Sequence, residues 1–202
     1  MVTKINDRQI ERYSRQIIAA GGVAQDRLLA ARIAIAGDAA DVGPVLDYLA
    51  GAGIGRINLW LTGESASCEG LVAHARDLNP DVIVEVEAPL DLKSMHALFL
   101  IIGSTEALAP AAALCTEARN SPVIIARLDG PARIAIIAAP PGATAAELKL
   151  FQPFSRRDGD AGFVAMVAAT EVFKLLIAEQ TVAEATLIEF DGYQTRIASR
   201  LI

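Results

Sequence analysis

The stretch Arg32–Trp60, RIAIAGDAADVGPVLDYLAGAGIGRINLW, constrains what this chain folds into more than any other. An apolar run reaching Ala36 delivers the chain to Gly37. A helical period follows over Gly43–Ala52, and a second apolar run covers Arg56–Leu61, with Gly53 and Gly55 punctuating the return. Strand, turn, helix and strand in that order are the unit of a parallel sheet, because parallel neighbours need a helical crossover. The fold class expected is therefore α/β, a Rossmann-like, doubly wound, mostly parallel sheet with helices on both faces. In such a scaffold, small residues after the first strand let backbone N–H groups meet phosphate at a helix N-terminus. Here Gly37 is followed by Asp38, Ala39, Ala40 and Asp41, so two carboxylates stand where an anion would approach. Like charges repel strongly in poorly screened space unless a cation intervenes. Gly37–Asp41 is the candidate remnant of a nucleotide loop. Its aspartates have two readings, as ligands of a metal or cationic group or as carboxylates capping the helix and facing its dipole.

Composition narrows the class. A chain of 202 residues fits one α/β domain, expected to comprise a helical arm over 1–31, a core over 32–139, a loop over 140–160 and a closing helix and strand over 161–202. A hydrophobic fraction of 53% with only 5% aromatic residues predicts an interior of Ala, Ile, Leu and Val, with apolar surface left for an oligomer contact. A formal charge of −6 and no basic run argue against nucleic acid, whose phosphates demand a basic face. Lys4, Asp7, Arg8 and Glu11 interrupt any signal-peptide pattern, so a cytoplasmic location is expected. The longest apolar segment, Gly162–Ala178, carries Glu171 and Lys174 and falls short of a bilayer span, so no membrane association is expected. Those two residues read as an edge ion pair at i and i+3. Cys68 and Cys115 form no CxxC, which points to neither a zinc site nor a disulfide framework. His74 and His96 lack nucleophile and acid partners nearby and read as polar surface residues.

The remaining chain alternates. Asp7–Ala20 reads as one helix stopped by Gly21-Gly22, Gln25–Ala31 as a second and Cys68–Leu78 as another. Val82–Val86 and Phe99–Ile102 read as strands, with a helix over 103–120 opened by Ser104 or Thr105. Pro122–Ala126 and Arg133–Ala138 flank the turn Asp129-Gly130-Pro131 as a possible hairpin. The stretch 140–159 has no period, and Ala185–Phe190 closes the chain.

Four segments carry a resemblance across nearly the whole chain. Glu11-Arg12-Tyr13-Ser14-Arg15-Gln16-Ile17, with Gly21-Gly22, Gln25, Arg27 and Leu28 after it, resembles the RYxRQ and GGxxGQxRL signatures of the ThiF, MoeB, HesA and ubiquitin-activating family. Ile33 through Gly55, including Pro44 and Tyr48-Leu49-Ala50, is similar to its nucleotide-binding unit. Asp77–Val82 with Glu85 resembles LNPxVxVE, Ile101–Glu106 the strand and turn ending in Thr-Asp-Asn, and Gly162–Leu176 the closing ATEALKLL helix. The resemblance implies adenylation, with ATP and magnesium, of the C-terminal Gly-Gly carboxylate of a ubiquitin-like or sulfur-carrier protein. It also implies a homodimer or a heterodimer with a ThiF-like chain, in which the arginine matching Arg15 reaches the partner's nucleotide.

Position by position the resemblance thins. The GxGGxG loop falls on Gly37–Val42 and keeps only Gly37, with β-branched Val42 at the helix start. Leu61 and Gly63 stand where acidic residues would hold ribose, and leucine accepts no hydrogen bond. Between Glu64 and Asn79 only Arg76 offers a cation. Glu106 replaces the magnesium aspartate, and the catalytic cysteine and zinc CxxC pairs are absent. Trp60 reads as core packing or as a filler of adenosine space. The reading reached is a degenerate member, a protein-binding or regulatory subunit with remnant catalytic residues Arg15 and Glu106, no metal site and no resident cofactor. The alternative is a residual adenylyltransferase using ATP and magnesium. A nicotinamide oxidoreductase fits worst, since GxGxxG and the acid after the second strand are both missing.

Overall fold

A computed structural model describes residues 5–62, 65–87, 98–103, 121–127, 133–139, 160–178, 186–191 and 194–201. The chain opens with three short helices, α1 (Asp7–Arg12), α2 (Ser14–Ala20) and α3 (Gly22–Ala30). Then follow β1 (Arg32–Asp38), α4 (Ala39–Gly51), β2 (Arg56–Thr62), α5 (Ser65–Leu78) and β3 (Ile83–Val86). Strands β4 (Leu98–Gly103), β5 (Val123–Arg127) and β6 (Arg133–Ala139) precede the long helix α6 (Asp160–Ala178), and β7 (Thr186–Asp191) and β8 (Gln194–Leu201) complete the order.

The eight strands form one sheet in the order β3-β2-β1-β4-β5-β6-β7-β8. The five strands from β3 to β5 run parallel, and β5 through β8 continue as antiparallel pairs. Strands β1 and β4 are buried along both faces, as their continuous apolar runs require of a central parallel strand. The core combines Ile33, Ile35, Ile57, Leu59, Leu100 and Ile102 from the sheet with Val42, Leu46 and Leu49 of α4 and Val164, Ala168 and Val172 of α6. Small α6 side chains let that helix lie close against the sheet and α4.

The sequence reading holds for the strand–helix–strand unit and for the β5–β6 hairpin, which pairs Val123 with Ala139. It needs correction at the arm. Asp7–Ala20 is two helices, not one, because Tyr13 leaves helical geometry at φ −97° and ψ 14° and turns its ring inward. Gly21, at φ 91°, makes the next bend in a conformation that favours glycine. Helix α4 begins at Ala39 rather than Gly43, and β8 follows the strand with which the sequence reading ended. The expected helix over 103–120, Glu106, Gly63, His96, Cys115 and the stretch 140–159 lie outside the described residues.

Candidate functional site

In open α/β sheets ligands bind beyond the carboxyl ends of the strands, where strand order reverses. Here that point lies between β1 and β4, with Gly37 in register with Ile102 and Asp38 closing β1. The connection from β1 to α4 has no loop residue: the strand ends at Asp38 and the helix starts at Ala39. Asp38, in extended geometry at φ −74° and ψ 144°, is the helix N-cap, and its Oδ1 accepts the Ala40 N–H at 3.0 Å. A backbone donor at the place where a phosphate would bind is thus satisfied by the chain's own carboxylate. Asp41 is buried in the first turn, on the favourable end of the helix dipole. The capping reading of Asp38 is the one the geometry supports. Among the described residues no three His, Cys, Asp or Glu side chains gather as metal ligands.

Gly37 is tight for a reason unrelated to phosphate. A Cβ there would lie 2.1 Å from the Ile102 carbonyl oxygen and 3.1 Å from Val42 Cγ2. Glycine lets β1 and β4 approach, and fully buried Val42 fills the space behind it. Gly103, ending β4 at φ 146°, also takes a backbone conformation that favours glycine. Leu61 packs against the core cluster and presents no acceptor for a ribose hydroxyl. Trp60, in register with Ala36, is half-buried. The residues of the β1–α4 turn therefore do not fit a magnesium triphosphate.

The signature residues of the arm converge elsewhere. Tyr13 is 1% exposed, and its hydroxyl donates to Asp81 Oδ2 at 3.1 Å while accepting from Asn79 Nδ2 at 2.9 Å. Asn79 Nδ2 also donates to the Ala50 carbonyl, and Arg12 Nε lies 3.4 Å from Asp81 Oδ2. Burial, opposed by the Asn79 hydrogen bond and reinforced by the Asp81 charge, pushes the Tyr13 phenol up to about 12. Gly53, at φ 84°, leaves room for the Tyr13 ring, whose Cζ would stand 2.6 Å from any Cβ. Gln25 Nε2 donates to the Ala52 carbonyl at 2.9 Å and Gln16 Nε2 to the Gly51 carbonyl at 3.4 Å, closing the C-terminal end of α4. Arg27 Nη1 donates to the Ile177 carbonyl and ties α3 to α6. Sequence alone singled out these residues as a signature without locating the joint they make. The missed signal was Asn79, whose side-chain amide both donates and accepts and so can join several partners at a buried helix end.

This joint sits at the amino end of the strands, opposite the switch point. Arg15, exposed between Tyr13 and Gln16, belongs to that end and pairs with no described residue. Helix α4, 13 residues long, spans about 20 Å between the two ends, farther than an arginine side chain reaches. Arg15 and Gly37–Asp41, the two groups of remnant site residues within the described chain, are not brought together. Arg76 is likewise at the wrong end, with Nη2 donating to the Val84 carbonyl at 2.8 Å. The Glu171–Lys174 ion pair is present at 2.7 Å, and His74 Nε2 lies 3.2 Å from Asp47 Oδ1 on the surface.

No family model matches the chain. An alignment of 117 positions is 32% identical to the SAMP-activating enzyme E1 of Haloferax volcanii; the match covers 48% of this chain and 43% of that protein, so the chain spans less than half the length of this curated relative. Among solved structures, E. coli MccB with ATP is 16% identical with a TM-score of 0.68, covering 98% of this chain and 72% of that one. PaaA is 16% identical with a TM-score of 0.69, covering 100% and 75%. At that identity the two structures speak for the fold.

Proposed function

We propose that the chain is a degenerate member of the ThiF/MoeB family, a non-catalytic protein-binding or regulatory subunit with impaired ATP binding; its 32% identity over 117 residues to a SAMP-activating enzyme supports the family. One observation carries the reading: the β1–α4 turn closes on itself, with Asp38 occupying the Ala40 N–H and Val42 packed behind Gly37. Transition-state stabilisation in phosphoryl and adenylyl transfer rests on positioned donors and cations. Here a carboxylate takes one donor, and the cation Arg76 faces the other end of the sheet. Exposed Arg15 is free to serve a partner's site, so the partner proposed is a ThiF-like chain, in a homodimer or heterodimer, together with a ubiquitin-like or sulfur-carrier protein. We treat residues 1–202 as one such unit acting in the cytoplasm. Crosslinked affinity purification from the native cell tests the role: recovery of an intact ThiF-like enzyme or a Gly-Gly-tailed small protein supports it, and recovery of neither counts against it.

Kinship over 117 residues with a SAMP-activating enzyme favours a second reading, an ATP-dependent adenylyltransferase acting on a carrier's C-terminal carboxylate. Calorimetry with ATP and magnesium separates the two.

A further inference from the structure

Tyr13 alone is buried among residues 5–23, the stretch that holds α1, α2 and the bend into α3. Neither α1 nor α2 contains a buried residue of its own. Helix α3, by contrast, is fixed to the body by buried Ala24, Gln25 and Leu28 and by the Arg27 bond to the Ile177 carbonyl. Two further side-chain ties of α1 and α2 are described, and both are weak. The Gln16 Nε2 bond to the Gly51 carbonyl is long at 3.4 Å, and the Arg12–Asp81 ion pair, at 3.4 Å, leaves the arginine side chain 41% exposed. At the bend, a Cβ on Gly21 or Gly22 would find nothing within 4 Å, so both glycines face open space on that side.

We propose that α1 and α2 form one arm that is released from the body as a unit at the Gly21-Gly22 bend, with the Tyr13 side chain, seated against Gly53 and bonded to Asn79 and Asp81, as its latch. Hydrogen bonds run through the break between the two helices, from the Tyr13 N–H to the Gln9 carbonyl and from the Ile17 N–H to the Tyr13 carbonyl, so the two helices are released together. The latch has two positions: seated, the phenol satisfies Asn79 and Asp81; withdrawn, it leaves both to water. Helices of 6 and 7 residues do not persist alone in water, so a withdrawn arm gives up its helical hydrogen bonds. Arg15 lies in α2, and the latch therefore sets where its guanidinium is presented. That consequence rests on the proposed reading of Arg15 as serving a partner's site; the latch itself does not.

Amide hydrogen exchange on the full chain tests the latch without any partner. The Ile10, Ile17 and Gly21 N–H groups, each bonded to a carbonyl of the arm or its cap, should exchange through one common opening that depends weakly on urea. The Ile35 and Leu100 N–H groups of the central strands β1 and β4 should exchange only on global unfolding, with a steep dependence. Tyr13→Phe, which removes the hydroxyl and keeps the ring, should speed exchange of the three arm amides together by about tenfold. Arm amides that exchange only along with Ile35 and Leu100 would overturn the proposal, and so would three unrelated rates. Both of those outcomes are read on the parent chain, whether or not Tyr13→Phe folds. Arm rates left unchanged by Tyr13→Phe would also overturn it, since the helices would then fray residue by residue. Failure to recover a partner by affinity purification would count against the role of Arg15 and leave these rates as they are.

Discussion

Gly37 and Tyr13 are the residues on which the two ends of the sheet depend. A methyl group on residue 37 would stand 2.1 Å from the Ile102 carbonyl oxygen, and backbone cannot yield as a flexible side chain does. Gly37→Ala is expected to destabilise the fold by about 3 kcal/mol or more, read as a lower urea midpoint at unchanged slope; a loss below about 1 kcal/mol would mean that β1 and β4 are not so closely apposed. At Tyr13 the pH dependence follows from the phenol pushed up from 10.0 to about 12. The folded chain holds the proton more tightly than the unfolded chain, so this contribution is complete below pH 10 and is lost as pH rises towards 12. The loss is on the order of 2 kcal/mol. Tyr13→Phe should remove that alkaline dependence and cost about 1–3 kcal/mol at neutral pH, because Asn79 and Asp81 lose their partner. Chemical denaturation of both proteins across the alkaline range checks both effects.

Helix α4 is the element that joins the two ends, capped by Asp38 at the first and by Gln16 and Gln25 at the second. Replacing Asp38 by Ala removes the N-cap and should cost about 1 kcal/mol, measured by thermal or urea unfolding; no change would show that the Ala40 donor is satisfied some other way. The capping residue was legible because an aspartate after a strand and before a helical period is a cap signal. The helix start was misjudged because Gly43 and Pro44 read as its opening, whereas Pro44 lies inside α4. Tertiary packing overrode periodicity in the arm: Ile10, Tyr13 and Ile17 match one helical face, yet burial of Tyr13 against Gly53 splits that helix in two. Strand β8 escaped notice because Thr195, Ile197 and Ser199 alternate weakly after a chain that had already supplied a closing strand.

At the scale of the molecule, the sheet separates what identifies the chain from what would let it work as an enzyme. Arg12, Tyr13, Gln25 and Asn79 build a joint at the amino ends of the strands and keep the fold. Gly37–Val42 and Leu61 stand at the carboxyl ends, where Asp38 caps α4, Val42 lies close to Gly37 and Leu61 packs against the core. The loss of glycines was readable in sequence because each position has a stated backbone task. The separation of Arg15 from the turn was not, since spacing along the chain does not say which end of a sheet a helix meets. Isothermal titration calorimetry with ATP and magnesium is the most direct test. A turn closed to triphosphate gives no detectable heat at nucleotide concentrations on the order of a millimolar, whereas one-to-one binding with a Kd on the order of a micromolar would contradict it.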